Sequence, residues 1–164
     1  MKRIILLLLI IPWVFNVYSQ EFTEPQIKLR SDIMLFLKEE GYMPELDSDG
    51  DIMFKKEGSK YYVSIDKKDT HPFYVSLFLL YKYDETYSME KVVSGLKELN
   101  RYKAVKVLCY KENYAYQAEM YLVNSEHFKY TFYKLMDQIV AMKSELAEIC
   151  TALTPVDSPL KKVP

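Results

Sequence analysis

The residues best suited to chemistry in this sequence are three alternating aspartates, Asp47, Asp49 and Asp51, in one short polar segment. Carboxylate oxygens are ligands that Ca²⁺ prefers, and an EF-hand loop supplies them at alternating positions. Counted from Asp47, such a loop needs glycine at its sixth position and glutamate at its twelfth, but those positions hold Ile52 and Gly58. The spacing therefore predicts a solvated turn, whose carboxylates would bind a cation only weakly.

The two histidines, His71 and His127, are the next candidates for chemistry. A catalytic imidazole needs an orienting acid and a nucleophile within hydrogen-bond reach. Asp69 is near His71 in the sequence, but no serine in a nucleophile-elbow context accompanies it. The chain also carries no GxGxxG, P-loop, HExxH or CxxC motif. We therefore predict no enzyme, no cofactor and no metal site, although two distant acids could still converge as a glycosidase pair.

Tyrosine is frequent in this chain, with 15 in 164 residues, and most of these tyrosines fall in or beside predicted strands. Packing within a sheet accounts for tyrosines in such positions. Because tyrosine offers rigid amphipathic contact area, the same residues also suit a protein-binding face or a stacking platform for a glycan. The single tryptophan, Trp13, lies in the predicted leader, and its loss from the mature chain argues against the glycan platform.

Length and charge limit the class of protein. A chain of 164 residues with 49% hydrophobic and 27% charged residues predicts one globular domain. Its 22 basic and 23 acidic residues do not provide the positive charge that nucleic-acid binding requires. We therefore predict no nucleic-acid partner.

Residues 1–19 have the layout of a secretory signal peptide. Lys2 and Arg3 precede an apolar run from Ile4 to Ile11, and Val17-Tyr18-Ser19 supplies a cleavage site. A membrane span needs about 20 apolar residues, and this run is shorter and is interrupted by Pro12. We therefore predict cleavage after Ser19, export to the periplasm or the extracellular space, and no stable membrane insertion of the mature chain.

An oxidising compartment permits a disulfide bond. Cys109 and Cys150 are the only cysteines, one in a predicted strand and the other near the end of a predicted helix. Bridge formation depends on a geometry that the sequence does not supply. A disulfide and two free buried thiols both remain open at this point.

The mature chain is predicted to form one α+β domain over residues 20–153, followed by a flexible tail over residues 154–164 that contains three prolines. Apolar spacing and turn residues indicate helices after Thr23, after Ser88 and from Ser125. Strands are predicted near residues 52–54, 61–65, 73–83, 104–110 and 114–123. The order αβββαββα predicts a mostly antiparallel five-stranded sheet with three helices. The last helix has the most regular apolar spacing, with steps of four and three through Phe128, Phe132, Leu135, Ile139, Met142, Leu146 and Ile149.

The segment from Phe73 to Tyr83 is apolar on both sides, which is typical of a central strand. One side is assigned to the core and consists of Phe73, Val75, Leu77, Leu79 and Tyr81. An exposed second side would form an apolar patch larger than soluble monomers usually tolerate, so a partner should cover it. We predict a partner-binding face that consists of Met53, Tyr62, Tyr74, Phe78, Leu80, Leu108 and Tyr110.

The segment from Gly41 to Gly58, GYMPELDSDGDIMFKKEG, together with the element order, resembles the small bacterial YbjN-like proteins. These proteins share the fold of type III secretion chaperones, also called Tir-chaperone-like. The stretch NRYKAVKV at residues 100–107 is similar to the family's junction between the second helix and the fourth strand. The resemblance covers about residues 24–151 and implies a non-enzymatic protein with a protein-binding or chaperone-like role. Chaperoning of effectors in the cytosol does not fit a chain that is exported.

These observations together predict an exported, non-catalytic domain that binds another protein, or forms a homodimer, through the aromatic sheet face or its edge. The alternative is a small-ligand or glycan-binding module that uses the same tyrosine-rich face. The shape of the face separates the two, because a concave aromatic pocket favours a ligand whereas a flat surface favours a protein.

Overall fold

The computed structural model describes residues 21–99 and 104–153. The helices are α1 (Glu24–Glu39), α2 (Met89–Leu99) and α3 (Ser125–Ala152). The strands are β1 (Glu45–Leu46), β2 (Ile52–Lys56), β3 (Ser59–Thr70), β4 (Phe73–Lys82), β5 (Val105–Cys109) and β6 (Asn113–Leu122). The predicted leader with its cleavage site after Ser19, residues 100–103 of the family-like stretch, and the predicted tail over 154–164 lie outside the described residues.

The strands form one antiparallel sheet in the order β1-β2-β3-β4-β6-β5. The α+β class, the three helices and the antiparallel pairing are confirmed. The prediction of five strands in the order αβββαββα is wrong, because Glu45 and Leu46 pair with β2 and add a sixth strand before it. The observed order is αββββαββα. Two residues are too few to show an alternating pattern, so only their pairing identifies them as a strand.

Turn residues set the connections between neighbouring strands. Glu57 and Gly58, both at positive φ, join β2 to β3, and glycine adopts that conformation without steric cost. The turn between β3 and β4 contains His71 and Pro72, as predicted, with a cis peptide bond between them. After β4 the chain passes through α2 to the edge strand β5, and β6 then returns to pair along the whole of β4.

The helices cover one face of the sheet. Their buried side chains form a single cluster with alternate residues of the strands. The predicted core positions Phe73, Val75, Leu77 and Leu79 are at most 7% exposed. Tyr81 is only half-buried, because it lies near the end of β4, where the Lys143 ammonium is 5.3 Å from the centre of its ring.

The predicted spacing of α3 is confirmed for all of its seven apolar positions except Ile149, which is half-buried beside the fully buried Cys150. The predicted N-cap, Ser125, is wrong by one residue: Asn124 precedes the helix, and its side chain accepts a hydrogen bond from the His127 amide at 3.3 Å. Phe132 lies fully buried at the centre of an aromatic cluster between α3, α1 and the sheet. In the described part of the chain, no helix combines the length and the apolar character that a membrane crossing requires.

Candidate functional site

The second face of the sheet is the candidate site, and we call it the open face. Side chains alternate across a strand, so the open face consists of the residues between the core positions. No helix among the described residues packs on it, since the buried side chains of all three helices belong to the core cluster on the other face. Its members are Glu45, Asp51, Met53, Lys55, Lys60, Tyr62, Ser64, Asp66, Tyr74, Ser76, Phe78, Leu80, Lys82, Lys106, Leu108, Asn113, Ala115, Gln117, Glu119 and Tyr121.

A row of cross-strand partners crosses the middle of the open face. Met53 lies opposite Tyr62, Tyr62 opposite Phe78, and Phe78 opposite Gln117. The rings of Tyr62 and Phe78 stack, with centroids 5.3 Å apart and 17° between their planes. The three predicted residues of this row are half-buried. Because neighbouring rings in the row support each other, the centre of the face is a rigid, even surface.

Two predicted leucines lie in the next row, on either side of the small residue Ala115. Leu80 is 45% exposed and Leu108 is half-buried. Tyr110 directly follows β5 and is 46% exposed. These side chains extend the apolar surface from the central strand to the edge of the sheet.

The remaining predicted residue, Tyr74, lies at the opposite end of β4. Its cross-strand partner is Tyr121, which is 64% exposed, and the two ring centroids are 5.2 Å apart. The structure therefore brings all seven predicted residues to one side of the sheet, and it adds Tyr121 to them.

A polar network that the sequence analysis missed lies beside the aromatic row. The Glu119 carboxylate accepts hydrogen bonds from the Lys106 ammonium at 2.6 Å and from the Gln117 amide at 3.1 Å. Gln117 also donates to the Ser76 hydroxyl at 3.2 Å. The Lys106 bond, with a further one from Tyr74, holds the pKa of Glu119 below its ordinary value. Alternation along β6 places Gln117 and Glu119 on one side, but only the register with β5 brings Lys106 to them.

The other residues considered for chemistry lie elsewhere and do not converge. One carboxylate oxygen of Asp47 accepts the backbone amides of Asp49 at 2.9 Å and of Asp51 at 3.0 Å, which is the hydrogen bonding of an Asx turn. His71 and His127 are both exposed. Within residues 21–99 and 104–153, no group of three or more His, Cys, Asp or Glu side chains could hold a metal ion.

Cys109 and Cys150 carry free thiols, so of the two alternatives left open by the sequence the structure has the unbridged one. Cys109 is half-buried on β5, and Cys150 is completely buried in α3. Burial raises the pKa of the Cys150 thiol, which keeps it protonated and unreactive.

The larger cavities formed by the described residues lie around the margins of the open face. One of about 410 Å³ lies at the end that carries Asp51 and Asp66. A second, of about 370 Å³, follows the edge between β1 and β2 and reaches Met53. A third, of about 360 Å³, lies between β5 and α2. Tyr62 and Phe78, at the centre of the face, line none of these three cavities.

The chain matches no family model and no curated protein. Among solved structures it is similar to an uncharacterized protein from Methanothermobacter thermautotrophicus, at 13% sequence identity and a TM-score of 0.48. That similarity covers 73% of this chain and 96% of the other.

Proposed function

We propose that this chain is an exported, non-catalytic domain that binds another protein, or a second copy of itself, through the open face. The observation that carries the proposal is the apolar and aromatic surface on the side of the sheet that no described helix covers. A polar row of Ser64, Ser76 and Glu119 separates its central part from the Tyr74–Tyr121 pair. Leu80, Tyr110 and Tyr121, at 45%, 46% and 64% exposure, project from this surface on three different strands or strand ends. Exposed patches of this kind mark interaction sites in soluble proteins.

The polar network around Glu119 does not oppose burial by a partner. Burying a charged group is costly when it loses its hydrogen bonds to water without replacement. Glu119 already accepts bonds from Lys106 and Gln117, and the latter also bonds Ser76. A partner that covers this network therefore leaves its carboxylate paired.

The marginal position of these cavities favours a protein over a small ligand at the centre of the face. A ligand site is concave and surrounds most of its ligand, whereas the cavities lie at the margins of the open face. The faces of the Tyr62 and Phe78 rings also contact each other, which leaves less ring surface for stacking on a sugar. The glycan-binding alternative has no comparable support.

The likeness to YbjN-like proteins agrees with this proposal, since it implies a non-enzymatic, protein-binding role. Export is proposed from the leader over residues 1–19 and excludes chaperoning of cytosolic effectors as the role. Expression of the full-length chain in its host, followed by intact-mass measurement, tests the export step. We expect the mass of residues 20–164, and a chain that keeps its leader would contradict export.

Affinity capture from the host's own envelope fraction tests the binding face. The matched forms are the wild type, a double variant with Tyr74→Ser and Phe78→Ser, and Tyr130→Ser as control, because Tyr130 is 82% exposed on α3. We expect the control to retain the bound protein and the double variant to lose it. Leu80→Asp, at an exposed position, serves as a second variant if the double variant has a lowered melting temperature.

Equal capture by the wild type, the control and folded open-face variants would contradict the proposal. If the Tyr130→Ser control loses the bound protein while the open-face variants keep it, the interaction lies on the helical side of the molecule.

A further inference from the structure

The charged side chains of the open face are separated by sign along its strands. Lys55, Lys60 and Lys82 lie at one end, which we call the basic end, and all three are exposed. Asp51 and Asp66 lie at the other end, which we call the acidic end. Two neighbouring strands each span both ends: β2 starts directly after Asp51 and carries Lys55, and β3 carries Lys60 and Asp66.

The basic end is only partly neutralised within one chain. Lys55 and Lys60 are direct cross-strand partners, an arrangement in which like charges repel. None of the ion pairs between described residues involves these two lysines or Lys82. Two carboxylates lie nearby and offset the three lysines in part. Glu45 is opposite Met53 on the edge strand β1 and lines the same cavity as Lys55. Glu57 lies in the turn beyond the last paired residues of β2 and β3.

The acidic end has an excess of carboxylates. Burial raises the pKa of Asp51, and Coulombic repulsion from Asp47 and Asp49 raises it further, while a hydrogen bond with Ser64 and the charge of Lys67 oppose the shift. Lys67 and Lys68 also line the cavity at this end, where they offset two of the three aspartates, Asp49, Asp51 and Asp66. Asp66 is exposed on the same side of the sheet. A positive charge brought to this end from outside the chain would therefore be favourable, as a negative one would be at the basic end.

We propose that a second copy of this chain covers the open face, with the twofold axis lying in the interface and running across the strands. This inference rests on the proposed function and names the partner that covers the open face. Rotation about this axis lays each strand over its own copy in the reverse direction. Lys55 then lies over the partner's Asp51, and Lys60 lies beside the partner's Asp66. An axis along the strands would instead lay the basic end over the partner's basic end, so the separation of charge along the strands favours the first of the two aligned arrangements.

The centre of the face fits this arrangement. The axis passes over the row of Met53, Tyr62 and Phe78, so the stacked ring pair packs on its own copy. Glu45 and Lys106, at the two ends of this row, lie near their own copies, and Lys106 is paired with Glu119 within its chain. Aligned sheets pack about 10 Å apart with strands within roughly 30°. Six strands at about 4.8 Å spacing and roughly 20 Å of facing length bury about 600 Å² per copy. That area is at the low end of specific interfaces, so we expect a reversible dimer of micromolar affinity.

The arrangement is tested by reversing the charges at one end or at the other, and by mixing the two resulting variants. One variant carries Lys55→Glu and Lys60→Glu, and the other carries Asp51→Lys and Asp66→Lys. A control with Lys38→Glu and Lys134→Glu makes the same change in net charge as the first variant, on exposed helix positions. All are expressed from the full-length chain, purified as the processed product, and measured by sedimentation velocity from about 5 to about 500 µM, the range of weak interfaces.

We expect the wild type and the control to dimerise, and each open-face variant to dimerise at least about tenfold more weakly, because both symmetry-related contacts become repulsive. An equimolar mixture of the two variants should recover the wild-type affinity, because acidic ends then meet basic ends in both contacts. If a double variant fails to fold, Lys60→Glu and Asp66→Lys on β3 give the same test with a smaller effect.

Two results would overturn the inference. One is a wild type that stays monomeric throughout the concentration range, and the other is a pair of variants that dimerise as well as the wild type. The first result leaves the proposed function standing if envelope capture still depends on Phe78 and Tyr74. Loss of that dependence would instead contradict the proposed function, so the two failures are distinguishable.

Discussion

We expect substitution of Gln26 to have the clearest effect on the stability of the fold. It is completely buried near the start of α1. Its carbonyl oxygen accepts from the backbone amide of Thr23 at 2.8 Å and from the Thr23 hydroxyl at 3.0 Å. Its amide nitrogen donates to the backbone oxygens of Asp66 at 2.9 Å and Asp69 at 3.2 Å. One residue thus starts the helix and holds the end of β3, including the position of Asp66 at the acidic end of the open face.

Gln26→Leu keeps the approximate volume of the side chain and removes all four hydrogen bonds. Each is worth about 1 kcal/mol, and buried backbone groups left without partners cost at least as much. Burial of the leucine offsets about 1 kcal/mol. We therefore expect the free energy of unfolding to fall by about 3 kcal/mol, which for a domain of this size lowers the melting temperature by about 10 °C.

Urea unfolding followed by circular dichroism measures this change, and Gln138→Leu is the matched control. The side-chain oxygen of Gln138, in α3, is buried without a hydrogen-bond partner among the described residues. Replacing it with leucine removes an unsatisfied polar atom, so stability should stay within about 1 kcal/mol or rise. If the two leucine variants lose stability equally, the assignment of the Gln26 contribution to its hydrogen bonds is refuted.

Three further substitutions or titrations test other parts of the structure. Phe132→Ala should lower the free energy of unfolding by about 3–5 kcal/mol, because Phe132 is completely buried, whereas Tyr130→Ala, at an exposed position, should change it by less than about 0.5 kcal/mol in the same urea titration. Burial raises the pKa of Tyr61 to about 12 from its ordinary 10.0, so the unfolded chain loses this proton at a lower pH than the folded chain does. The contribution of Tyr61 to the free energy of unfolding is therefore complete below pH 10 and is lost as the pH rises towards 12. Unfolding titrations at stepped alkaline pH should show a shallower decline for Tyr61→Phe, and an identical decline would count against the burial argument. A thiol reagent should label Cys109 faster than Cys150 in native protein, since only Cys150 is completely buried; equal rates in the single Cys→Ser variants would contradict this.

Features that depend on local spacing could be predicted from the sequence. The apolar positions of α3 recur with helical spacing, and all but Ile149 are buried. The segment from Phe73 is apolar on both sides because it forms β4, which has a strand on each side in the sheet. Alternation along that strand was enough to assign Phe78 to the face opposite Leu77 and Leu79.

Features that depend on register could not be predicted. β1 consists of two residues that become a strand only through their pairing with β2. Lys106 and Glu119 are thirteen positions apart and meet because β5 lies beside β6. The separation of charge on the open face likewise requires knowing that Lys55 lies opposite Lys60. The alternating pattern assigns a residue to one side of its strand, whereas its neighbours on that side depend on the alignment of the strands.

The pairing of β4 with β6 has a consequence for the order in which the protein folds. β2, β3 and β4 are joined by short turns, and so are β5 and β6, so each group can form its hairpins from contacts that are close in sequence. Joining the two groups requires closure of the long segment that contains α2, which is entropically slower. Tyr62 and Phe78 belong to the first group, and Gln117 and Leu108 belong to the second. We therefore expect the open face to be complete only after β4 and β6 pair, and chains in which they have not paired to lack it.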